Sequence, residues 1–258
     1  MMDIVVLLKQ VPDPVEELAI DASGRSLDRQ RLRYALNEWD DQALEEAVLL
    51  KKRHGGLVTV LSLGLGEPEE VLFTATARGA DRAIKATGPL PEEISNHTAA
   101  GVFKKIVEGL PHALILTGVQ ASDDLDGGLG LLLAHRMGLP YVGAVRRVEV
   151  DEGRGVVVVQ KEYPGGLAAE IEVALPAVLG IQAAESPPRY VPFGRVRQAM
   201  RTAEIEERPV EGESVPLGFE VRRLFKPEVA GRAELLEGSP EEVARRLKEL
   251  LKEKGLVR

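Results

Sequence analysis

Cysteine is absent from all 258 residues of the sequence. The chain can therefore form no disulfide bond, no thiolate metal site and no cysteine nucleophile. Its histidines are His54, His97, His112 and His135. Because they show no paired ligand spacing, the sequence predicts no metal site. A Gly-x-Ser-x-Gly elbow is also missing, and no nucleophile–base set is visible, so a hydrolase or similar enzyme is the least favoured class.

An excess of positive charge is missing as well, since the formal charge is -8. The chain has no global basic field to attract nucleic acid or a membrane surface, and we predict neither partner. No apolar run reaches the roughly 18–20 residues that a transmembrane helix needs, so we predict no direct membrane insertion. Asp3 stands where a signal peptide needs positive charge. We therefore expect a cytoplasmic protein whose first apolar run is a buried strand.

Short apolar runs alternate with longer amphipathic segments through the first half of the chain. Continuous apolar strands between amphipathic helices are typical of a parallel sheet with helices on both faces. The sequence therefore predicts an α/β fold with a mostly parallel sheet. The predicted strands are 3–9, 57–64, 81–87 and 112–118, and the predicted helices are 37–56, 68–79, 96–109 and 126–138.

The pattern changes after residue 140. Three apolar segments, within 141–150, 156–163 and 167–182, are separated by the turns DEGRG and PGG. This spacing is typical of an antiparallel meander. We expect the meander to extend the same sheet or to cap one side of it.

The last third of the chain is less regular. Residues 186–238 have too few regular apolar positions for a core of their own, and we interpret them as an arm that packs on something else, such as a partner chain. A capping box, Ser239 to Glu242, opens a C-terminal helix. The predicted organisation is an α/β nucleotide-binding domain at 1–185, the arm at 186–238 and the helix at 239–258.

The loop GVQASDDLDGGLG, at 118–130, joins a predicted strand to a predicted helix. The carboxyl ends of parallel strands meet at one edge, where such sheets bind ligands. Unpaired N–H groups at the helix start favour an anion. Three glycines allow a phosphate to approach the backbone closely; they are Gly127, Gly128 and Gly130. The loop is therefore a candidate phosphate site.

The acids of this loop would repel a phosphate unless their carboxylates bind other groups. Asp123, Asp124 and Asp126 can accept hydrogen bonds from loop amides or ribose hydroxyls. A monophosphate nucleotide suits the loop better than a triphosphate, because the P-loop motif is missing. The alternative is that these acids are only helix caps and turn residues. For Asn37, an N-cap role is favoured over a ligand contact.

Six motifs follow one another along the chain: VVLLKQVPD, LNEWDDQALEEAV, ARGADRA, GVQASDD, GGLAAEIEVALPAVLGIQ and PPRYVPFGRVRQA. With these motifs in this order, the sequence resembles the β subunit of electron transfer flavoprotein from residue 3 to about 202, and more weakly to the end. LNEWDD followed by GVQASDD is most similar to the branch that works with trimethylamine dehydrogenase.

The resemblance implies a heterodimer of α and β subunits that carries electrons from flavin dehydrogenases to the respiratory chain, usually through a membrane quinone oxidoreductase. It implies that FAD sits mostly on the α subunit and that the β subunit holds a structural AMP in an α/β fold. The β subunit would then be an electron-carrier subunit without catalytic residues of its own.

Carried over by position, the resemblance implies a set of AMP contacts at the carboxyl edge of the sheet. The last three positions of this set are glycine, glycine and leucine, where the family often has polar residues. We therefore expect the phosphate to be bound more by backbone contacts than by side chains. The implied contacts are Leu7, Asn37, Glu38, Trp39, Asp40, Leu63, Gly118, Gln120, Ala121, Ser122, Asp123, Asp124, Asp126, Gly127, Gly128 and Leu129.

The resemblance also implies two surfaces for protein partners. Pro188, Arg189, Tyr190 and Phe193 match the family's recognition loop for dehydrogenases, with Phe193 at the position of an anchoring leucine. The alternative is a buried Phe193 that tucks the loop down. Glu162 falls where the family has a glutamate that contacts the mobile FAD domain of the α subunit, although its pattern alone indicates a solvated hairpin residue.

Two other functions stay open from the sequence. An electron-bifurcating relative would bind a second FAD where AMP otherwise sits, and the NEWDD motif argues mildly against it. A stand-alone adenine-nucleotide sensor of the stress-protein kind would form homodimers and need no α subunit.

Overall fold

The structure is a computed structural model that describes residues 2–90, 94–123, 127–211, 221–226 and 235–257. Its strands are β1 (Ile4–Leu8), β2 (Gln10–Pro12), β3 (Tyr34–Leu36), β4 (Val58–Leu63), β5 (Arg82–Thr87), β6 (Leu114–Gly118), β7 (Tyr141–Asp151), β8 (Val156–Tyr163), β9 (Leu167–Ala174), β10 (Ala177–Ile181) and β11 (Ile205–Pro209). Its helices are α1 (Glu38–His54), α2 (Glu69–Arg78), α3 (Asn96–Val107), α4 (Leu129–Met137), α5 (Phe193–Thr202) and α6 (Pro240–Glu253).

Within the described residues, nine strands form one sheet in the order β11-β5-β4-β1-β6-β10-β7-β8-β9. The pairs from β11 to β7 are parallel, and β8 pairs antiparallel with both β7 and β9. Strands β2 and β3 form a separate antiparallel pair. The predicted α/β fold is confirmed, and the meander extends the main sheet.

The last segment of the predicted meander, 167–182, is two strands instead of one. It divides at Pro176, which has no N–H to donate to a ladder. Exposed and covered residues alternate along β9, whereas β10 is buried throughout. The fully apolar β10 therefore returns to the sheet interior, where it lies parallel between β6 and β7.

Helices cover both faces of the sheet. Successive residues of β1 point to opposite faces, so Val6 packs in one apolar cluster and Leu7 in the other. Helices α1 and α2 supply the first cluster, and α3 and α4 supply the second. None of the helices in the described ranges combines the length and apolar composition needed to span a bilayer.

The chain divides into two compact units, Met1–Arg222 and Arg223–Arg258. Part of the predicted arm belongs to the first unit, because β11 pairs with β5 at the sheet edge and α5 packs against α2. The second unit contains α6, whose capping box is confirmed by reciprocal hydrogen bonds between Ser239 and Glu242. The predicted domain boundaries at 185 and 238 stay predictions.

The ring of Tyr141 lies in a space that glycines leave open. A Cβ atom added to Gly143 would lie 2.6 Å from the Tyr141 hydroxyl oxygen, and one added to Gly180 would lie 2.7 Å from it. A Cβ added to Gly130 would approach the same ring to 3.0 Å. Strands β7 and β10 and helix α4 therefore meet around one aromatic side chain that tolerates no added methyl group.

Gly180→Ala should lower the free energy of unfolding by about 1–3 kcal/mol, because overpacking displaces the Tyr141 hydroxyl. Adding Tyr141→Phe should recover much of this loss, since the nearest remaining ring atom would lie at 3.4 Å. Urea denaturation measures both effects, with Gly153→Ala in the exposed β7–β8 turn as the control. A Gly180→Ala protein as stable as the control would contradict this packing.

Candidate functional site

Three neighbouring parallel strands, β4, β1 and β6, end at the same edge of the sheet. Helix α1 begins at this edge after the β2–β3 pair, and α4 begins there after the loop that follows β6. The loop at 118–130, which the sequence predicted to be a phosphate site, therefore starts at the same edge as α1. The site is built from strand ends and helix starts, as ligand sites in such sheets commonly are.

Asp40, in the first turn of α1, joins the ends of two strands. Its carboxylate accepts hydrogen bonds from the Lys9 amide and from the Gly118 amide, both at 2.8 Å. A Cβ on Gly118 would lie only 2.6 Å from an Asp40 oxygen and 2.7 Å from Trp39 Cβ. Gly118 is thus required for α1 to approach β6, and Asp40 has a structural task whether or not it also contacts a ligand.

The environment of Asp40 disfavours its charge. Burial raises the pKa of the Asp40 carboxyl to about 7, while the hydrogen bonds from the Lys9 and Gly118 amides act in the opposite direction. The net effect follows from the strong desolvation of a carboxylate in a protein interior. The strand ends are therefore held by a carboxyl group that titrates near neutral pH.

Asn37 occupies the N-cap position of α1, but its side chain does not cap the helix. Its amide nitrogen instead donates to the Gln120 carbonyl oxygen at 2.8 Å, which ties α1 to the loop after β6. Asn37 therefore stands at the predicted N-cap position, but the prediction that its side chain caps the helix is wrong. Asn37 is 1% exposed, and its side-chain oxygen has no hydrogen-bond partner in the described structure.

A cation that the sequence analysis did not assign to the site lies beside the loop. The Lys9 ammonium group is 2.7 Å from an Asp123 carboxylate oxygen. Lys9 follows β1 directly, so its position at the carboxyl edge was the available signal. The pair brings a positive charge to a loop that otherwise carries acids.

The start of α4 is shaped by close packing. Gly127 has φ +56, and a Cβ there would lie 2.9 Å from Gln120 Cβ, so glycine is needed on both counts. A Cβ on Gly130 would lie 2.7 Å from the Thr117 hydroxyl oxygen. That oxygen is buried and has no hydrogen-bond partner in the described structure. Gly130 therefore serves the packing of α4 on β6.

The remaining predicted AMP contacts differ in exposure. Leu7 and Ala121 are buried, and Trp39, Leu63 and Gly128 are partly buried. Glu38, Gln120, Ser122 and Asp123 are exposed, and Leu129 packs partly against the apolar cluster under α4. Asp124 and Asp126 lie outside the described residues.

The predicted recognition segment presents two aromatic side chains to solvent. Tyr190 is 85% exposed and Phe193 is 64% exposed, so the alternative of a buried Phe193 is wrong. The Arg197 guanidinium lies 5.0 Å from the centre of the Phe193 ring. Arg189 differs from these residues, because its guanidinium forms an ion pair with the buried Glu45 of α1. Pro188 is partly buried beside it.

Glu162 lies on β8, close to the β8–β9 turn. It forms an ion pair with Arg146 of β7, and both side chains are partly exposed. The predicted contact of Glu162 with an α subunit therefore has an internal competitor. An exposed pair of this kind contributes little to stability and can be exchanged for another partner.

The family model described as "Electron transfer flavoprotein domain" matches residues 25–212. The chain belongs to the electron transfer flavoprotein family. It is 30% identical to the electron transfer flavoprotein subunit beta of Methylophilus methylotrophus, covering 98% of each chain. It is 31% identical to the corresponding subunit of Clostridium acetobutylicum, covering 99% of this chain and all of the relative. Within the family the chain is therefore a β subunit with a role in electron transfer.

A further relative is the subunit CarD of the caffeyl-CoA reductase-Etf complex of Acetobacterium woodii. The two sequences are 30% identical over 99% of this chain and 100% of the relative. Membership of the electron transfer flavoprotein family implies an α-subunit partner and flavin-related electron transfer.

The Asp40 carboxyl predicts a pH dependence of stability. Asp40 ionises at lower pH in the unfolded chain than in the folded protein, so the free energy of unfolding should fall as the pH rises from about 4 to 7. The free energy of unfolding of the wild type, relative to that of Asp40→Asn, should fall by about 2 kcal/mol from pH ~5.5 to pH ~7.5. Urea denaturation at matched ionic strength measures it.

The control is Glu170→Gln, which removes an exposed carboxyl from β9. Its difference from the wild type should stay constant over the same pH range. A pH-independent difference for Asp40→Asn would show that Asp40 is already ionised in the folded protein at low pH.

Proposed function

We propose that this β subunit forms a cytosolic heterodimer with an electron transfer flavoprotein α subunit. The heterodimer accepts electrons from flavin dehydrogenases and passes them to a quinone oxidoreductase or to the respiratory chain. One observation carries the proposal: Phe193, at the position of the family's anchor, is exposed on a segment that the rest of the chain holds in place. We assign no catalytic side chain to this subunit, and its work is to bind and to position.

We further propose that the carboxyl edge of the sheet holds AMP. The unpartnered oxygen of Asn37 fits a donor such as the adenine amino group or a ribose hydroxyl, because a buried acceptor is costly without a partner. The first turn of α4 contains no acidic residue and offers N–H groups to a phosphate. Lys9 pairs with Asp123 and so offsets one of the negative charges of the preceding loop. AMP is structural here, and FAD, held mainly by the α subunit, supplies the redox chemistry.

Partner recognition is proposed for Tyr190 and Phe193. Exposed aromatic residues are common hot spots of protein interfaces. Arg195, Arg197 and Arg201 are exposed on α5 beside them, in a chain of net negative charge. The dehydrogenase surface that fits this helix combines an apolar pocket with acidic groups. Trimethylamine dehydrogenase is the first partner to test, because the motifs most resemble the branch that works with it.

Glu162 is proposed to contact the FAD domain of the α subunit. Because Arg146 pairs with Glu162 in this chain, the contact requires the carboxylate to share or exchange partners. This suits a domain that moves between positions, since an exposed ion pair is weak.

A bifurcating-type β subunit that binds a second FAD at the nucleotide edge is the second candidate. The similarity to a subunit of a reductase-Etf complex favours keeping it. The stand-alone nucleotide sensor is less favoured, because the relatives reported above are named as subunits.

The nucleotide released from the denatured heterodimer should be one AMP, beside one FAD. Gly128→Glu should reduce the AMP content to about a tenth or less, because an acid at the start of α4 repels the phosphate and a tenfold loss needs only about 1.4 kcal/mol. Chromatography of the released nucleotides measures both.

Gly153→Glu is the matched control, since it adds the same charge at the exposed β7–β8 turn. It should keep full AMP. Two FAD per heterodimer and no AMP would contradict the AMP proposal and support the bifurcating type. Full AMP in Gly128→Glu would show that the phosphate does not bind at the start of α4.

Phe193→Ala should raise the KM of trimethylamine dehydrogenase for the heterodimer by about thirtyfold, which corresponds to the ~2 kcal/mol of a hot-spot aromatic. The midpoint of thermal unfolding and the FAD content should not change, because Phe193 is exposed. Phe225→Ala is the control, since Phe225 is similarly exposed and has Arg223 over its ring. Equal KM values for both variants would argue against Phe193 as the anchor.

A further inference from the structure

The segment between β10 and α5 has no regular secondary structure, yet α1 holds its backbone. Three side chains on one face of α1 each accept one backbone N–H from it. Gln42 accepts from Ala184 at 3.0 Å, Glu46 accepts from Glu185 at 2.9 Å, and Glu45 accepts from Arg189 at 3.1 Å. Backbone amides that would otherwise lack ladder partners are therefore satisfied by one helix.

The strongest of these contacts joins Glu45 to Arg189. The Arg189 Nε donates to both Glu45 oxygens, at 2.9 and 3.0 Å, and its terminal Nη2 also donates to Glu45. Glu45 is 2% exposed. Burial alone would raise the pKa of Glu45, but the bonds from Arg189 outweigh it and lower the pKa below the usual value. Glu45 is thus ionised and fixed by a bidentate, charge-assisted pair.

The neighbouring Glu46 is 1% exposed, and burial raises its pKa. Arg53 lies 3.7 Å from Glu46 and 2.7 Å from Glu185. Two adjacent buried carboxylates are a costly way to pack a helix, since apolar residues of similar size would often pack as well. The contacts of the two carboxylates give a better reason for their burial, because both accept hydrogen bonds from the segment that leads to Tyr190.

We propose that Glu45 is a positioning residue for partner docking, which it serves by clamping Arg189 and so orienting Tyr190 and Phe193. The inference rests on the proposed function and deepens it. Arg189 was predicted to contact the partner, and it acts here as an internal anchor. Tyr190 is the next residue and Phe193 opens α5, so the exposed aromatics follow directly after the clamp.

The clamp works by removing freedom before the partner arrives. Without it, the chain between Ile181 and Phe193 would keep conformations that docking must then suppress. Ordering such side chains and loops on binding weakens affinity, and preorganisation avoids that loss. Loss of the clamp should therefore weaken encounter with the dehydrogenase and leave the electron-transfer step unchanged.

The test uses the complete heterodimer carrying Glu45→Gln in this subunit. Gln keeps the size and one acceptor oxygen but loses the bidentate charged pair. The KM of trimethylamine dehydrogenase for the heterodimer should rise about tenfold, with kcat changed less than about twofold. Hydrogen exchange of a peptide spanning 183–192 should speed up, because it contains the Arg189 amide that Glu45 holds. FAD and AMP contents should stay constant.

Arg189→Lys is the second variant, and it is informative even if Glu45→Gln fails to fold. It keeps the positive charge and the backbone N–H, but a lysine cannot reproduce the bidentate fork. It should raise the KM and the exchange rate in the same direction. Glu206→Gln is the control, since it breaks an ion pair between β11 and Arg82 of β5 that does not involve α1 or residues 183–192, and neither quantity should change.

Unchanged exchange at 183–192 in Glu45→Gln and Arg189→Lys would overturn the clamp. Faster exchange with an unchanged KM would overturn its role in docking. Both results are distinct from failure of the proposed function, in which the wild-type heterodimer itself takes no electrons from the reduced dehydrogenase while the exchange measurement can still be made.

Discussion

Buried carboxylates on α1 that accept backbone N–H groups hold both candidate surfaces of this subunit. Asp40 joins the ends of β1 and β6 at the predicted nucleotide edge. Glu45 and Glu46 hold the segment that leads to α5 and to the exposed Phe193. An α-helix rises about 1.5 Å per residue, so these contacts lie within roughly 10 Å along one rigid element. The proposed nucleotide edge and the proposed partner segment are therefore both tied to α1, and neither can shift far while α1 stays in place.

The three carboxylates are stabilised in different ways. Glu45 has a bidentate arginine partner, which keeps its pKa low despite burial. Asp40 depends mainly on two backbone amides, and burial raises its pKa to about 7. Glu46 lies between these cases, because Arg53 is near but not hydrogen-bonded to it and burial raises its pKa. The partner segment is thus fixed by a group that stays charged over the physiological pH range, whereas the strand ends are held by one that titrates within it.

Apolar periodicity predicted the parallel strands and the helices that cover them, because burial on the two faces of a sheet follows directly from residue order. The split at Pro176 was missed because only Leu175 and Pro176 separate β9 from β10, although the proline was a visible signal. The strand-edge rule placed the start of α1 and the loop after β6 at the same edge, as the structure does. Lys9 was missed although it directly follows β1 at that edge. Glu45 could not be assigned to a buried pair, because acids in an amphipathic helix usually face solvent and its burial depends on a segment about 140 residues away.

The proposed AMP, which would take no part in the redox reaction, would have a physical reason to stay at such an edge. The folded chain buries an Asn37 oxygen without a partner and an Asp40 carboxyl whose charge is disfavoured, and both lower the stability of the strand ends. A ligand that binds only the folded state stabilises it by mass action, by about 2.7 kcal/mol at a concentration one hundred times its Kd. On the proposed function, AMP would offset the first of these losses by supplying a donor to Asn37, and its phosphate would accept from the N–H groups at the start of α4. The site would then need affinity and rigidity but no reactive side chain, which is consistent with an edge where Asp40 is already bonded to two backbone amides and Asn37 to the Gln120 carbonyl.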